Sequence, residues 1–252
     1  MKVIDQSPLR SEDGSTSLVD RVKGMWQYGL AWDSDRQAEE RMLAHLQKGL
    51  DNKYTLIRST MLPGLEVPIP LVLVGPAGIY VIHASAQRGY FRAKDEVWAV
   101  MDEKSRRFKP ARPNLIRRCT LLSRAVESYL QKEFPNLPEI SPLLFLGHPG
   151  IHVEAEQPAV RLVRMDAVDR FVGSIAQSPT VLDATEVRRI TDALTRPIPE
   201  AEKQRESILA DETVMTIGNI PMQRRQWLLI GAMGLIEVCL LMIFVVVILA
   251  QP

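Results

Sequence analysis

Cysteine is scarce in this chain, since its 252 residues include only Cys119 and Cys239. The second lies inside a long apolar run, so a disulfide framework is not expected. The chain also has almost no net charge, at +1, so the overall charge balance argues neither for nor against a nucleic-acid partner. Only the distribution of charge along the chain can do so.

Several chemical signatures are missing as well. The sequence contains no P-loop, no glycine-rich dinucleotide turn, no nucleophile elbow and no Cys-x-x-Cys pair. The usual sequence signatures of nucleotide binding, of serine hydrolases and of thiol redox chemistry are therefore absent. Its first 14 residues are polar and hold no apolar segment typical of a signal peptide. No cofactor and no metal site is expected from the sequence.

The stretch around which the predicted fold is organised is a central hairpin within residues 67–89. Two β-branched apolar runs, residues 69–74 and 79–82, flank the turn Gly75-Pro76-Ala77-Gly78. Neither run alternates with polar residues, which indicates strands covered on both faces. Around this hairpin the patterns predict helices over 35–50, 114–134, 166–177 and 183–194, and strands over 54–61, 90–92, 97–100, 143–146 and 159–165. We therefore expect an α/β fold with a mixed sheet flanked by helices.

The hairpin, with its core GPAGIYVI, resembles the nuclease-related domain (NERD) family. That family is a branch of the restriction-endonuclease-like, PD-(D/E)xK group, and the similarity covers roughly residues 35–175. The resemblance implies an Asp on the first strand and a Glu-x-Lys on the second, which bind a metal ion and activate water for phosphodiester cleavage. These positions fall at Pro70, His83 and Ser85, so all three groups are replaced.

The replacement removes the chemistry that the resemblance implies. Mg²⁺ prefers anionic oxygen ligands, and a serine hydroxyl does not replace an ammonium beside a phosphate. We therefore expect an inactive site, with Glu39 on the first helix as a possible remnant. The alternative is a metal-dependent nuclease with a migrated site that uses Glu39, Glu66, His83 or Lys94.

A run without acidic residues is the strongest charge feature. Between residues 104 and 124 it provides a candidate phosphate-binding set of Lys104, Arg106, Arg107, Lys109, Arg112, Arg117 and Arg118. Such a cluster fits nucleic-acid backbone or anionic lipid, and equally a solvated helix face. Only Phe108 interrupts it, so no row of aromatic residues for stacking bases is expected.

The C-terminal run over residues 227–250 carries one charge, Glu237, and predicts a transmembrane helix about 36 Å long. Arg224 and Arg225 precede it, so a single-pass, tail-anchored protein with a cytoplasmic N-terminal part is expected. Gly231 and Gly234 share a helix face with Glu237, which favours a helix–helix interface.

These features predict four segments: an N-terminal extension over residues 1–34, a NERD-like α/β domain over 35–195, a tether over 196–226, and the transmembrane helix over 227–250. The expected function is that of a membrane-anchored binding or scaffold module without catalytic activity. Its partner is a transmembrane or cytoplasmic protein, nucleic-acid backbone, anionic lipid, or a second copy of the chain. The alternatives are the migrated-site nuclease and an accessory subunit of a membrane complex.

Overall fold

A computed structural model describes residues 1–7, 32–65, 67–197, 215–217 and 220–222, with the backbone alone at 32, 33, 215–217 and 220–222. The chain divides into one unit over Met1–Ile198 and a second over Pro199–Pro252. The described α-helices are α1 (Trp32–Gly49), α2 (Leu115–Leu130), α3 (Val168–Ala176) and α4 (Ala184–Thr195), and a short 3₁₀ helix covers Met165–Ala167. The strands are β1 (Lys2–Asp5), β2 (Thr55–Thr60), β3 (Ile69–Gly75), β4 (Gly78–Ser85), β5 (Gly89–Asp95), β6 (Val97–Met101), β7 (Phe108–Pro110), β8 (Ile140–Leu146), β9 (Ile151–Pro158), β10 (Arg161–Arg164), β11 (Met215–Ile217) and β12 (Ile220–Met222).

Six strands form the main sheet, in the order β1-β2-β3-β4-β8-β10. Strands β2, β3 and β4 are antiparallel neighbours, whereas β8 runs parallel to β4 and β10 parallel to β8. All eight residues of β4 are buried, as the continuous apolar run predicts for a strand covered on both faces. The central hairpin is therefore confirmed.

The hairpin also depends on close packing at its turn. A side chain at Gly75 would come within 2.0 Å of the Tyr54 ring, so the ring packs directly on the glycine backbone. Tyr54 in turn donates from its hydroxyl to the Ile175 carbonyl at 3.1 Å. Glycine at this position is thus required by the packing of the neighbouring strand.

Helices cover the two faces of the main sheet. On one face, α1 and α3 pack against Leu71, Leu73 and Ile82. On the other face, α2 and α4 pack against Val72, Val74 and Val81. The start of α4 carries the capping box that its sequence predicts, because Asp183 and Glu186 each accept a hydrogen bond from the other's backbone N–H, at 2.7 and 2.8 Å.

Four further strands form a second sheet, in the order β7-β6-β5-β9. Its inner face, with Phe91 and Trp98, packs against the first turns of α2 and the end of β8. Sequence patterns indicated β5 and β6 but not β7 or β9. Beyond this unit, β11 and β12 form an antiparallel pair.

The predicted fold class needs one correction. No helix within the described ranges is long and apolar enough to cross a membrane. The longest of these helices, α1, carries charged residues along its whole length, and such side chains are costly in hydrocarbon. The fold is therefore α/β with mixed sheets and helices, and the described residues contain no membrane-spanning helix of the kind that the predicted single-pass, tail-anchored architecture requires. Residues 227–250 themselves lie outside the described residues.

Candidate functional site

The three positions that correspond to the family's catalytic triplet lie together on one face of the main sheet. Leu71 pairs with Ile82, so the same register places Pro70 beside His83, and Ser85 follows two residues later. Ile82 and Ala84 pack toward α1. His83 therefore points to the opposite face, where α2 lies, because successive strand residues alternate between faces.

His83 is sealed within the fold. It is 5% exposed, and neither ring nitrogen has a hydrogen-bond partner within the described part of the chain. Burial, together with a smaller contribution from the positive charge of Arg118, lowers the pKa of His83 to about 3. Cys119 is also buried, and its Sγ lies 3.8 Å from the Leu143 carbonyl. His83 is thus a neutral, buried imidazole at the position where the resemblance implies a carboxylate.

Ser85 has a structural partner at the end of β4. There Asp35 of α1 accepts a hydrogen bond from the Ala86 N–H at 2.8 Å. Burial raises the pKa of Asp35, while the Ala86 N–H, the Ser85 hydroxyl and Arg118 lower it. Asp35 therefore joins the start of α1 to the end of β4, and Ser85 completes this contact.

Glu39 lies on the α1 side of the sheet and faces a buried arginine. Arg58 of β2 is 4% exposed. Its guanidinium lies 2.9 Å from Glu40, 3.7 Å from Asp5 and 4.0 Å from Glu39. Burial raises the pKa of Glu39 to about 7; Arg58 acts against this rise, whereas Asp35 and Glu40 add to it. Glu39 thus belongs to a buried charge cluster that also holds β1 against β2.

The described residues of the migrated-site alternative, Glu39, His83 and Lys94, do not converge. Glu39 belongs to α1, which packs on one face of the main sheet, whereas His83 points to the other face because it alternates with Ile82 and Ala84. Lys94 lies on the outer face of the second sheet, where its Nζ is 2.9 Å from Glu156. Glu66 lies outside the described residues. In the described ranges, no three His, Cys, Asp or Glu side chains are placed to hold a metal ion.

The basic run is divided into two groups by the second sheet. The turn group, Lys104, Arg106 and Arg107, is exposed in the connection between β6 and β7. The helix group consists of Arg112, Arg117 and Arg118, which are exposed at the start of α2. Asn114 binds the Glu96 carbonyl at 2.8 Å, so the helix group adjoins the end of β6 opposite to the turn group.

Lys109, the seventh cation of the predicted phosphate-binding set, is already paired with a carboxylate. Lys109 of β7 lies 2.6 Å from Asp102, and this contact holds the pKa of Asp102 below its usual range. Asp102 also accepts hydrogen bonds from the Ser105 N–H and hydroxyl, at 2.8 and 3.0 Å. Lys109 therefore stabilises the turn between β6 and β7, whereas no carboxylate within the described residues pairs with either group defined above.

Some site residues predicted from the sequence are not described by the structure, and two residues of the buried contacts were not predicted. Gly231, Gly234 and Glu237 lie outside the described residues. Arg58 was not singled out from the sequence, although a charged residue inside an apolar strand indicates a buried partner. Asp35 was recognised only as the start of a helix.

No family model, no curated protein and no solved structure matches this chain. The assignment of a function therefore depends on the geometry described above and on the chemistry of its residues.

Proposed function

We propose that this chain is a restriction-endonuclease-like domain, similar to NERD, which binds nucleic-acid backbone without cleaving it. The observation that carries the proposal is the set of six exposed cations in the turn group and the helix group. None of them forms an ion pair with a carboxylate in the described part of the chain, although the charge of Arg118 acts on the more distant Asp35. By contrast, Arg92, Lys94, Arg164 and Arg196 each lie within 3.0 Å of an acid. Cations that lack an internal partner are available for phosphates.

The start of α2 adds a second reason. Asn114 caps the helix by accepting from the Arg117 N–H at 3.0 Å, and the first turn contains no acidic residue. Arg117 and Arg118 instead place positive charge at the positive end of the helix dipole. This arrangement is unfavourable for the isolated chain, and a bound phosphate relieves it.

The two groups are spaced for more than one phosphate. The five residues of β6 separate them, which corresponds to about 17 Å along a strand. Adjacent phosphates on one strand of a duplex rise by about 3.4 Å, so the two groups reach different phosphates of the same nucleic acid. Binding through both groups then depends steeply on salt.

The absence of cleavage in this proposal follows from the triplet positions. Pro70 and Ser85 offer no anionic ligand, and His83 is enclosed and neutral. The nearest carboxylates, Asp35 and Glu39, are engaged in contacts that join α1 to β4 and to Arg58. The fold then serves as a scaffold for the cations.

The test is a binding titration of the full chain with fluorescently labelled duplex DNA at several salt concentrations. We expect the Arg112→Ala/Arg117→Ala/Arg118→Ala variant to lower affinity about tenfold or more and to reduce the salt slope by about 2 to 3. The turn-group variant Lys104→Ala/Arg106→Ala/Arg107→Ala should have a similar effect. Both variants change exposed residues only.

A matched control removes three positive charges that are already paired: Arg124→Ala/Arg164→Ala/Arg196→Ala. If this control weakens binding as much as the helix-group variant, net charge alone explains the result and the proposed surface is wrong. The same samples, incubated with Mg²⁺ or Mn²⁺ and with EDTA, test the absence of cleavage. Metal-dependent cutting that is lost in Glu39→Gln contradicts that part of the proposal and supports the migrated-site nuclease.

A further inference from the structure

The outer face of the second sheet carries aromatic side chains that are far apart in the sequence. Tyr90 of β5 pairs with His152 of β9, and their rings are stacked with centroids 4.7 Å apart and planes 15° apart. Tyr90 is nevertheless 57% exposed. The inward-facing neighbours Phe91 and Trp98 are buried in the core, so the exposed rings are not part of it.

A third ring lies on the same face. Phe108 of β7 pairs with Met101 of β6, and continuing the register of β5 and β6 by one residue places Met101 opposite Tyr90. The order across the four strands is therefore His152, Tyr90, Met101, Phe108. We refer to these four side chains as the aromatic row. It extends about 14 Å, since neighbouring strands lie about 4.8 Å apart.

Arginine is part of the same surface. The guanidinium of Arg92 lies 4.1 Å from the centre of the Phe108 ring and forms an ion pair with Glu154 at 2.7 Å. A guanidinium held over a ring in this way is flat and adds to the stacking surface. Glu154 and Glu156 are neutralised by Arg92 and Lys94, so they do not repel an anion strongly.

Cations without an ion pair adjoin this surface. Arg107 directly precedes Phe108, and Lys104 and Arg106 lie in the same turn. Arg88 is exposed and lies two residues before Tyr90. Among the residues that the structure describes, none of these cations has an acidic partner. Two exposed rings and the half-buried Phe108, flanked by these cations, match the alternation of bases and phosphates in a single strand.

We propose that the outer face of the second sheet binds single-stranded nucleic acid, with bases stacked on the aromatic row and the phosphates against the turn group. This inference depends on the proposed function, because it assigns the nucleic acid that the domain prefers and the part of it that is recognised beyond phosphate. A duplex encloses the faces of its bases, so it cannot use the aromatic row. The sequence alone does not predict this row, because its members are spread over residues 90–152 and become neighbours only in the sheet.

The test compares three labelled probes of equal length on the full chain: a single strand of thymidines, the same backbone without bases, and a duplex. We expect Tyr90→Ala to weaken binding of the thymidine strand about tenfold, while binding of the base-free strand changes less than about twofold. Tyr90→Phe should retain the affinity because it keeps the ring. A strand containing 2-aminopurine should lose fluorescence on binding, and Tyr90→Ala should reduce that loss.

Val97→Ala is the control, because Val97 lies on the same face, two rows away from the aromatic row, and is 51% exposed. If Val97→Ala weakens binding of the thymidine strand as much as Tyr90→Ala does, the proposed stacking on the aromatic row is wrong. The same holds if the base-free strand binds the wild type as tightly as the thymidine strand does. In that case salt-dependent binding that requires the helix group still supports the proposed function. If none of the three probes binds, both proposals are wrong.

Discussion

The main sheet is buried on both faces, whereas the second sheet is buried on only one. In the main sheet a charged residue must find partners inside the fold, as Arg58 does with Glu40 and Asp5. In the second sheet Arg92 and Lys94 pair with Glu154 and Glu156 in contact with solvent. The same residue types are therefore structural in one sheet and accessible to a ligand in the other.

The comparison also concerns function. The positions at which the resemblance implies catalysis, Pro70, His83 and Ser85, belong to the main sheet, and two of them are buried completely or nearly so. The unpaired cations and the aromatic row belong to the second sheet and the adjoining start of α2. The two proposals assign binding to the second sheet and the start of α2, while the main sheet provides stability.

The largest expected difference concerns the two arginines. Arg58→Leu should lower the free energy of unfolding by about 3 to 5 kcal/mol, because it leaves buried Glu39 and its neighbours without their cation. Arg92→Leu removes a solvent-exposed pair and should cost less than about 1 kcal/mol. Urea unfolding of both variants measures the difference. Equal losses of unfolding free energy would show that the Arg58 cluster is no more buried in solution than the ion pairs of Arg92 and Lys94 on the second sheet.

Apolar side chains should show a similar contrast. Leu73 is fully buried in β3, and Leu73→Ala should cost about 3 kcal/mol through lost contacts and the cavity that remains. Val97→Ala removes an exposed side chain from β6 and should change stability by less than about 0.5 kcal/mol. Thermal or urea unfolding checks both values. A cost at Val97 comparable to that at Leu73 would mean that the outer face of the second sheet is covered in solution.

An effect of up to a similar size, but confined to part of the pH range, is expected at Glu39. Its pKa is raised from 4.5 to about 7, so the folded state binds the proton more tightly than the unfolded state does. The resulting stability is present below about pH 4.5 and is lost as pH rises through about 7, a change of about 3 kcal/mol. Glu39→Gln removes this dependence, so the variant should match the wild type at acidic pH and exceed it at pH 8.

The control for that titration is Glu156→Gln in the second sheet. Lys94 lowers the pKa of Glu156, so its contribution is present above its ordinary pKa and is lost only as pH falls toward acid. At pH 8, Glu39→Gln should therefore raise the free energy of unfolding above that of the wild type, whereas Glu156→Gln should not. Urea unfolding of both variants at neutral pH and at pH 8 measures this difference. If the free energies of unfolding of the two variants change with pH in the same way, the burial of Glu39 is contradicted.

Local sequence patterns predicted much of the main sheet. The β-branched runs around Gly75 and Gly78 were correctly assigned to the central hairpin, because residues of this type favour buried strands and the glycines permit the turn. The capping box of Asp183 and Glu186 located the start of α4. Helix α2 ends at Leu130, four residues before the predicted end, because the chain continues as hydrogen-bonded turns back to the Leu130 carbonyl.

The sequence by itself determined which segments are apolar enough to be buried and where the cations are concentrated, since both are properties of neighbouring residues. It did not determine which distant residues share a face. Only the register of β5 with β9 brings Tyr90 to His152, and only the path of β6 and β7 divides the basic run into two groups. Strand pairing and layer packing act between residues far apart in the chain, so the tertiary structure alone decided which charges are buried and which are free to bind.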